Sequence, residues 1–155
     1  MGVPGGAEAA IHALRRYADD LPKDHIIVKL DFTNAFNTLC RDEMLDAIWK
    51  ELPEIYNFVH ATYNRSTQLQ FGEFTISSEE GPQQGDNLRS SEFYTTIQPM
   101  LIRSLSEIKV DFLDDITLAG QLDIVIKDVI SIKDKTDKYG LQLNAAKCEV
   151  VYGDP

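Results

Sequence analysis

Apolar and polar positions along the 155-residue chain change period several times, and each change marks an element. After the flexible Gly5-Gly6, residues 6–18 carry Ala10, Ile11, Leu14 and Tyr17 at helical spacing, and Pro22 marks the exit. The run 25–31 reads as a strand, followed by a turn at Thr33-Asn34. A helix is predicted from about Asp42 to Lys50, with Leu45, Ile48 and Trp49 on one face, and Pro53 separates it from a second helix of about 54–63. Residues 67–71 and 74–78 alternate around Gly72-Glu73 and predict a β-hairpin. The loop Gly81-Pro82-Gln83-Gln84-Gly85-Asp86 leads into a helix of about 88–105. Two short β-prone runs, Lys109–Leu113 and Ile116–Ala119, are joined by Asp114-Asp115. Gln121–Tyr139 is amphipathic on Leu122, Val125, Val129, Ile132 and Thr136 and ends at Gly140, before a final strand of about 148–152.

The resulting order, α-β-α-α-ββ-α-ββ-α-β, contains hairpins rather than strict βαβ repetition. It predicts an α+β fold with helices packed on one face of a mostly antiparallel sheet. Length places the chain in a single domain, with no internal repeat or linker.

The candidate chemistry is acidic. Asp114 and Asp115 sit between Phe112-Leu113 and Ile116, and a hairpin with this pair at its tip presents two carboxylates. Asp31 closes the first strand, and a neighbouring strand end would bring it to the same place. Tandem aspartates also arise in any acidic chain, and Asp19-Asp20 is most simply a solvated helix end. The apolar flanks of Asp114-Asp115 favour a site, because carboxylates inserted in such a hairpin are costly unless paired or metal-bound. Hard divalent cations such as Mg²⁺ take oxygen ligands of this kind.

Charge complicates the choice of partner. A net charge of −10 and a pI near 4.6 argue against a self-sufficient nucleic-acid binder, since duplex affinity comes largely from Lys and Arg. Either the partner is not nucleic acid, or the basic surfaces that hold it lie outside these 155 residues. No apolar run approaches the ~20 residues of a membrane span, and residues 1–20 show no secretory signal, so a soluble protein of the cytoplasm or nucleus is expected. Cys40 and Cys148 make no close-spaced pair, which fits reduced thiols and leaves a disulfide between them open.

Four segments, in order, resemble one family. Lys29-Leu30-Asp31-Phe32-Thr33-Asn34-Ala35-Phe36-Asn37 is similar to the first catalytic motif of reverse transcriptases, D-x-x-x-A-F-N. Glu80-Gly81-Pro82-Gln83-Gln84-Gly85-Asp86 resembles their Q-Q-G-D nucleotide-site loop, and Phe112-Leu113-Asp114-Asp115 their Y/F-x-D-D box. Gly140-Leu141-Gln142-Leu143-Asn144-Ala145-Ala146-Lys147-Cys148 matches G-L-x-L-N-x-x-K-C, and the set looks closest to LINE-type non-LTR retrotransposon enzymes. The resemblance implies a polymerase palm, a ferredoxin-like antiparallel sheet backed by helices, over residues 1–155 with partial fingers elements.

It also implies the site. Asp31, Asp114 and Asp115 would hold two Mg²⁺ ions, with Mn²⁺ as a substitute, and Lys147 would protonate the leaving pyrophosphate. Backbone groups from Phe32 to Ala35 would contact the triphosphate, Phe36 would lie beneath the incoming sugar, and Gln84 and Gly85 would line the nucleotide and template side. The implied partners are an RNA template, a DNA primer and a deoxynucleoside triphosphate. By default, spacing alone makes Phe36 a core aromatic, Lys147 a solvated lysine and Gln84 a turn residue.

The chain departs from the family at Asp86-Asn87-Leu88-Arg89-Ser90-Ser91-Glu92-Phe93, where Q-G-D-P-L-G-P-x-x-F is usual. Arg89 replaces a glycine that admits a base pair, so it either obstructs that approach or adds a phosphate contact. Asp111 stands where an apolar residue is more usual. Full fingers and thumb do not fit in this length, so the isolated chain is expected to polymerise poorly or not at all, and the polar residues 87–92 suit a surface left exposed. Two rival readings remain: a catalytically silent reverse-transcriptase-derived protein-interaction module, and a phosphoacceptor domain. The second would need an alternating parallel βα series.

Overall fold

The strict alternation of β1 (His25–Leu30) builds the centre of the molecule: Ile26, Val28 and Leu30 are buried while His25, Ile27 and Lys29 are half-buried on the other face. The computed structural model describes residues 4–153. Helix α1 (Gly6–Asp19) precedes β1, and α2 (Ala35–Thr38), α3 (Arg41–Glu51) and α4 (Pro53–Tyr63) follow it. The hairpin β2 (Thr67–Phe71) and β3 (Phe74–Ser78) leads to α5 (Arg89–Ile102). A second hairpin, β4 (Ile108–Phe112) and β5 (Asp115–Gln121), runs into α6 (Leu122–Thr136), a 3₁₀ turn at Asp137–Tyr139 and β6 (Glu149–Tyr152).

Four strands form one antiparallel sheet in the order β4-β5-β1-β6, and β2-β3 stand apart as a two-stranded sheet. The α+β expectation therefore holds, with α6 lying on β1 and β5, α5 packing on α6 and α3, and α3 on α4. The core joins Ile26, Val28, Leu30, Ile116 and Leu118 from the sheet to Met44, Ile48, Val59, Phe93, Ile97, Val125 and Ile132 from the helices. Each such aliphatic or aromatic side chain contributes about 1.5–3 kcal/mol by leaving water. No helix among the described residues is long and apolar enough to cross a membrane.

Several boundaries differ from the sequence reading. The one-turn helix α2 was not expected, α5 stops at Ile102, and the last turn before Gly140 is 3₁₀. Helix α1 buries none of its residues despite its periodic apolar positions, and Trp49 is exposed, edge-on to Tyr56. The most consequential difference is the register of the second hairpin. Phe112 pairs with Asp115, so the two-residue tip is Leu113-Asp114 rather than Asp114-Asp115. Leu113 takes the left-handed conformation, φ 61°, which a leucine adopts only under constraint and which propensity arguments disfavour.

Two close backbone approaches hold residues 34–40. Gly81 has φ +63°, and a Cβ there would lie 2.2 Å from the Phe36 carbonyl oxygen; its N–H donates to the Leu39 carbonyl at 2.8 Å. On the other side Gly140 has φ +71°, a Cβ would lie 2.3 Å from the Thr38 carbonyl oxygen, and Cys40 N–H donates to the Tyr139 carbonyl at 2.9 Å. Buried Asp128 on α6 fixes the turn into β4, its Oδ2 accepting hydrogen bonds from Leu105 N, Ser106 N and Ser106 Oγ. Alanine at Gly81 or Gly140 should therefore cost about 3 kcal/mol or more in urea unfolding. At Gly72, with φ +60° and nothing within 4 Å, the cost should be only the backbone penalty of about 1–2 kcal/mol. Equal losses at the three positions would show that the close approaches carry no special weight.

Candidate active site

Asp31 follows β1 directly, and extending the pairing one step past Leu30↔Ile116 sets it level with Asp115. Its backbone is fixed from the other side by the segment after α6. Asn144 N–H donates to the Asp31 carbonyl at 2.9 Å, Thr33 N–H donates to the Gln142 carbonyl at 2.8 Å, and Phe32 bridges Leu143. The Asp31 N–H points at Cys148 Sγ, 3.5 Å away. Oδ1 of Asp31 is buried and accepts no hydrogen bond. Asp115, two residues along the same sheet face from Thr117, pairs with Lys29 Nζ at 3.1 Å, and this contact raises the Lys29 pKa. Asp114 sits half-buried at the hairpin tip, next to Asp115.

The three expected aspartates thus lie at adjoining ends of β1 and the β4-β5 hairpin. Among the described residues, no three His, Cys, Asp or Glu side chains converge as a metal-holding group, and Lys29 engages one of the three carboxylates. The oxygen-only donor set and the orphaned Asp31 Oδ1 suit a hard cation, because a buried carboxylate oxygen without a partner is costly.

Phe32 and Ala35 point into the core, which leaves only their backbone for a substrate. Asn34, φ 51°, turns the chain between them and accepts a hydrogen bond from Asn37 Nδ2. Phe36 is partly buried, its ring centre 4.6 Å from that of Phe93 and 4.5 Å from Cζ of Arg89. Arg89 Nη2 donates to Asn37 Oδ1 at 3.1 Å, while its Nε is buried without a partner. Lys147 is exposed on the turn that begins at Asn144, its N–H bonded to the Asn144 carbonyl.

Gln84 and Gly85 are exposed at the apex of a braced loop. Arg41 supplies one brace: Nε donates to Gly81 O at 3.0 Å, Nη1 to Ser78 O at 2.7 Å, and Nη2 to Ser78 Oγ at 2.9 Å and Glu80 O at 3.3 Å. Tyr63 supplies the other. Its hydroxyl donates a short hydrogen bond to Asp86 Oδ2 and accepts one from Gln83 N at 3.1 Å, and Arg41 stacks on its ring. Gln83 Nε2 donates to Thr67 Oγ1 at 2.8 Å, tying the loop to β2. Between loop and hairpin opens a cleft of about 580 Å³ with Asn37, Glu79, Glu80, Gln83 and Gln84 in its wall.

Sequence reasoning missed Arg41 and Tyr63, since a charged residue and a tyrosine at helix ends read as surface. One signal was present: Arg41, Met44 and Ile48 stand at i, i+3 and i+7 and share the buried face of α3. The expectation that residues 87–92 form an exposed surface needs correction. Glu92 is fully buried, and both of its carboxylate oxygens lack partners. The i, i+4 spacing from Leu88 turns position 92 inward, whatever residue occupies it.

Burial, and secondarily the charge of Asp86, raise the Glu92 pKa from 4.5 to about 7. The folded state therefore holds this proton more tightly than the unfolded chain. The stability it contributes is complete below pH 4.5, is lost as pH climbs to about 7, and changes no further above. Glu92→Gln should stabilise the chain by about 3 kcal/mol at pH 8 and by close to nothing at pH 4, read as the difference between paired denaturation curves. A gap that does not change with pH would remove the buried charge as its cause.

Comparison with known proteins agrees with this architecture. No curated protein sequence matches the chain. Among solved structures, telomerase from Candida tropicalis, apo and truncated from its C-terminal domain, superposes with a TM-score of 0.71 at 18% identity over 97% of this chain and 36% of its own. Telomerase from Candida albicans, in complex with a TWJ fragment of telomeric RNA, gives 0.69 at 16% identity over 94% of this chain and 31% of its own. The chain thus spans about a third of the length of these neighbours, whose similarity is one of fold. The family model described as reverse transcriptase (RNA-dependent DNA polymerase) matches residues 3–154, so the chain belongs to the reverse transcriptase family.

Proposed function

We propose that this chain is the palm core of an RNA-directed DNA polymerase working by two-metal nucleotidyl transfer. The observation that carries the reading is the register that sets Asp31 level with Asp115, one residue from Asp114 at the hairpin tip, with one buried Asp31 oxygen left without a partner. Asp31, Asp114 and Asp115 would hold Mg²⁺ or Mn²⁺, which supplies activation of a primer 3′-hydroxyl and stabilisation of the departing pyrophosphate. Lys29 neutralises Asp115 and so eases the crowding of like charges.

The other residues have binding work. Backbone groups from Phe32 to Ala35 meet the triphosphate, Phe36 lies beneath the incoming sugar, and the braced Gln84 and Gly85 face the nucleotide and template. Exposed Lys147 carries a proton on Nζ for the leaving pyrophosphate. RNA template, DNA primer and deoxynucleoside triphosphate are the proposed partners, and basic surfaces outside these residues would supply the affinity that a net charge of −10 denies. The G-L-x-L-N-x-x-K-C segment favours a retrotransposon enzyme of LINE type as the parent.

Primer extension on an RNA template with Mg²⁺ tests the reading. A version lengthened at both ends should extend the primer and the 155-residue chain should not, because positioning supplies much of such catalysis. Asp31→Asn or Asp114→Asn in the longer form should reduce extension at least about 100-fold. A longer form no more active than its Asp114→Asn variant would defeat the proposal.

A further inference from the structure

We propose that Arg89 is a retractable cover on the nucleotide pocket, lying on Phe36 where an incoming sugar would rest and swinging aside to admit it. This deepens the polymerase reading and rests on the place given there to Phe36. The geometry is specific. The Arg89 guanidinium lies over the Phe36 ring, its Cζ 4.5 Å from the ring centre, and the tilted Phe93 ring packs 4.6 Å away, so the guanidinium occupies the face it covers. A sugar cannot take that face of Phe36 while Arg89 stays.

The cover is held by contacts that can be broken. Beyond the stacking, Arg89 has one side-chain hydrogen bond, to Asn37 Oδ1, and its buried Nε has no partner, so departure leaves little unsatisfied. A destination lies alongside. Asn37 also lines the cleft beside the Gln83-Gln84 loop, where Glu79 and Glu80 offer carboxylates to a displaced guanidinium. Arg89 is the first residue of α5, so its long side chain can change rotamer without disturbing a helix interior.

The sign of one measurement separates this role from ordinary anion binding. Removing a cation near a triphosphate weakens binding, whereas removing a cover tightens it. Binding of a fluorescent deoxynucleoside triphosphate with Mn²⁺ should be measured on the 155-residue chain and on Arg89→Ser and Arg89→Ala, with circular dichroism melts to confirm folding. At least about fivefold tighter binding in both variants is expected; unchanged, weaker or undetectable binding in them overturns the cover. Asp31→Asn, made in each background, keeps the two readings apart. Tighter binding that ignores Asp31→Asn leaves the cover standing and defeats the polymerase reading, and equal Asp31-dependent binding with and without Arg89 does the reverse. A second measurement needs no change at 89. With 4-fluorophenylalanine at position 36, saturating nucleotide should shift the fluorine resonance as the guanidinium leaves, and a resonance unmoved at saturation overturns the proposal.

Discussion

The grip of two glycine backbones on residues 34–40 is the constraint from which the rest follows. Gly81 approaches from the loop before α5 and Gly140 from the turn after α6, each so close that a side chain would collide with a carbonyl oxygen. Three stretches of sequence far apart along the chain are thereby brought to one place. The segment after Asp31 cannot drift from the strand that ends there, and Gln142–Asn144 can run beside Asp31–Thr33. Arg41, at the end of the gripped segment, then reaches across to the carbonyls of 78–81 and braces the loop that bears Gln84 and Gly85.

Buried side-chain polar atoms without partners are few among the described residues. Among the described residues, buried side-chain atoms without partners belong to Asp31, Arg89 and Glu92 alone. Arg41 and Asp128, also buried, spend their polar atoms on several hydrogen bonds each and serve as struts. The contrast separates polar groups that shape the scaffold from those whose local energy is poor. Poor local energy at a few groups is the usual mark of places arranged for something other than stability.

Much of the architecture was legible because glycine, proline and alternation punctuate it clearly. The strand 25–30, the 67–78 hairpin and the long helix after Gln121 follow from such signals. What escaped had physical causes. The tip at Leu113-Asp114 depends on a leucine forced to positive φ by its surroundings, which no propensity foresees. Helix α2 is a single turn, too short to show a period. Arg41 and Tyr63 earn their buried places through partners on a loop some forty and twenty residues away, as the hydrogen bonds show, and those partners are visible only in three dimensions. Residue type and position single out the three aspartates as candidates, whereas the engagement of Asp115 by Lys29 is visible only through the cross-strand register.

Strand β1 occupies an interior position of its sheet yet pairs only with strands made much later, Leu30 with Ile116 and Val28 with Val150. During synthesis, Asp31 leaves the ribosome long before Cys148, 117 residues on, which ends beside its backbone. Contacts this distant along the chain slow folding, because loop closure must precede any reward. The nascent N-terminal part therefore waits with an apolar strand unpaired, a period in which a chaperone has something to hold and a truncated product has nothing to complete it.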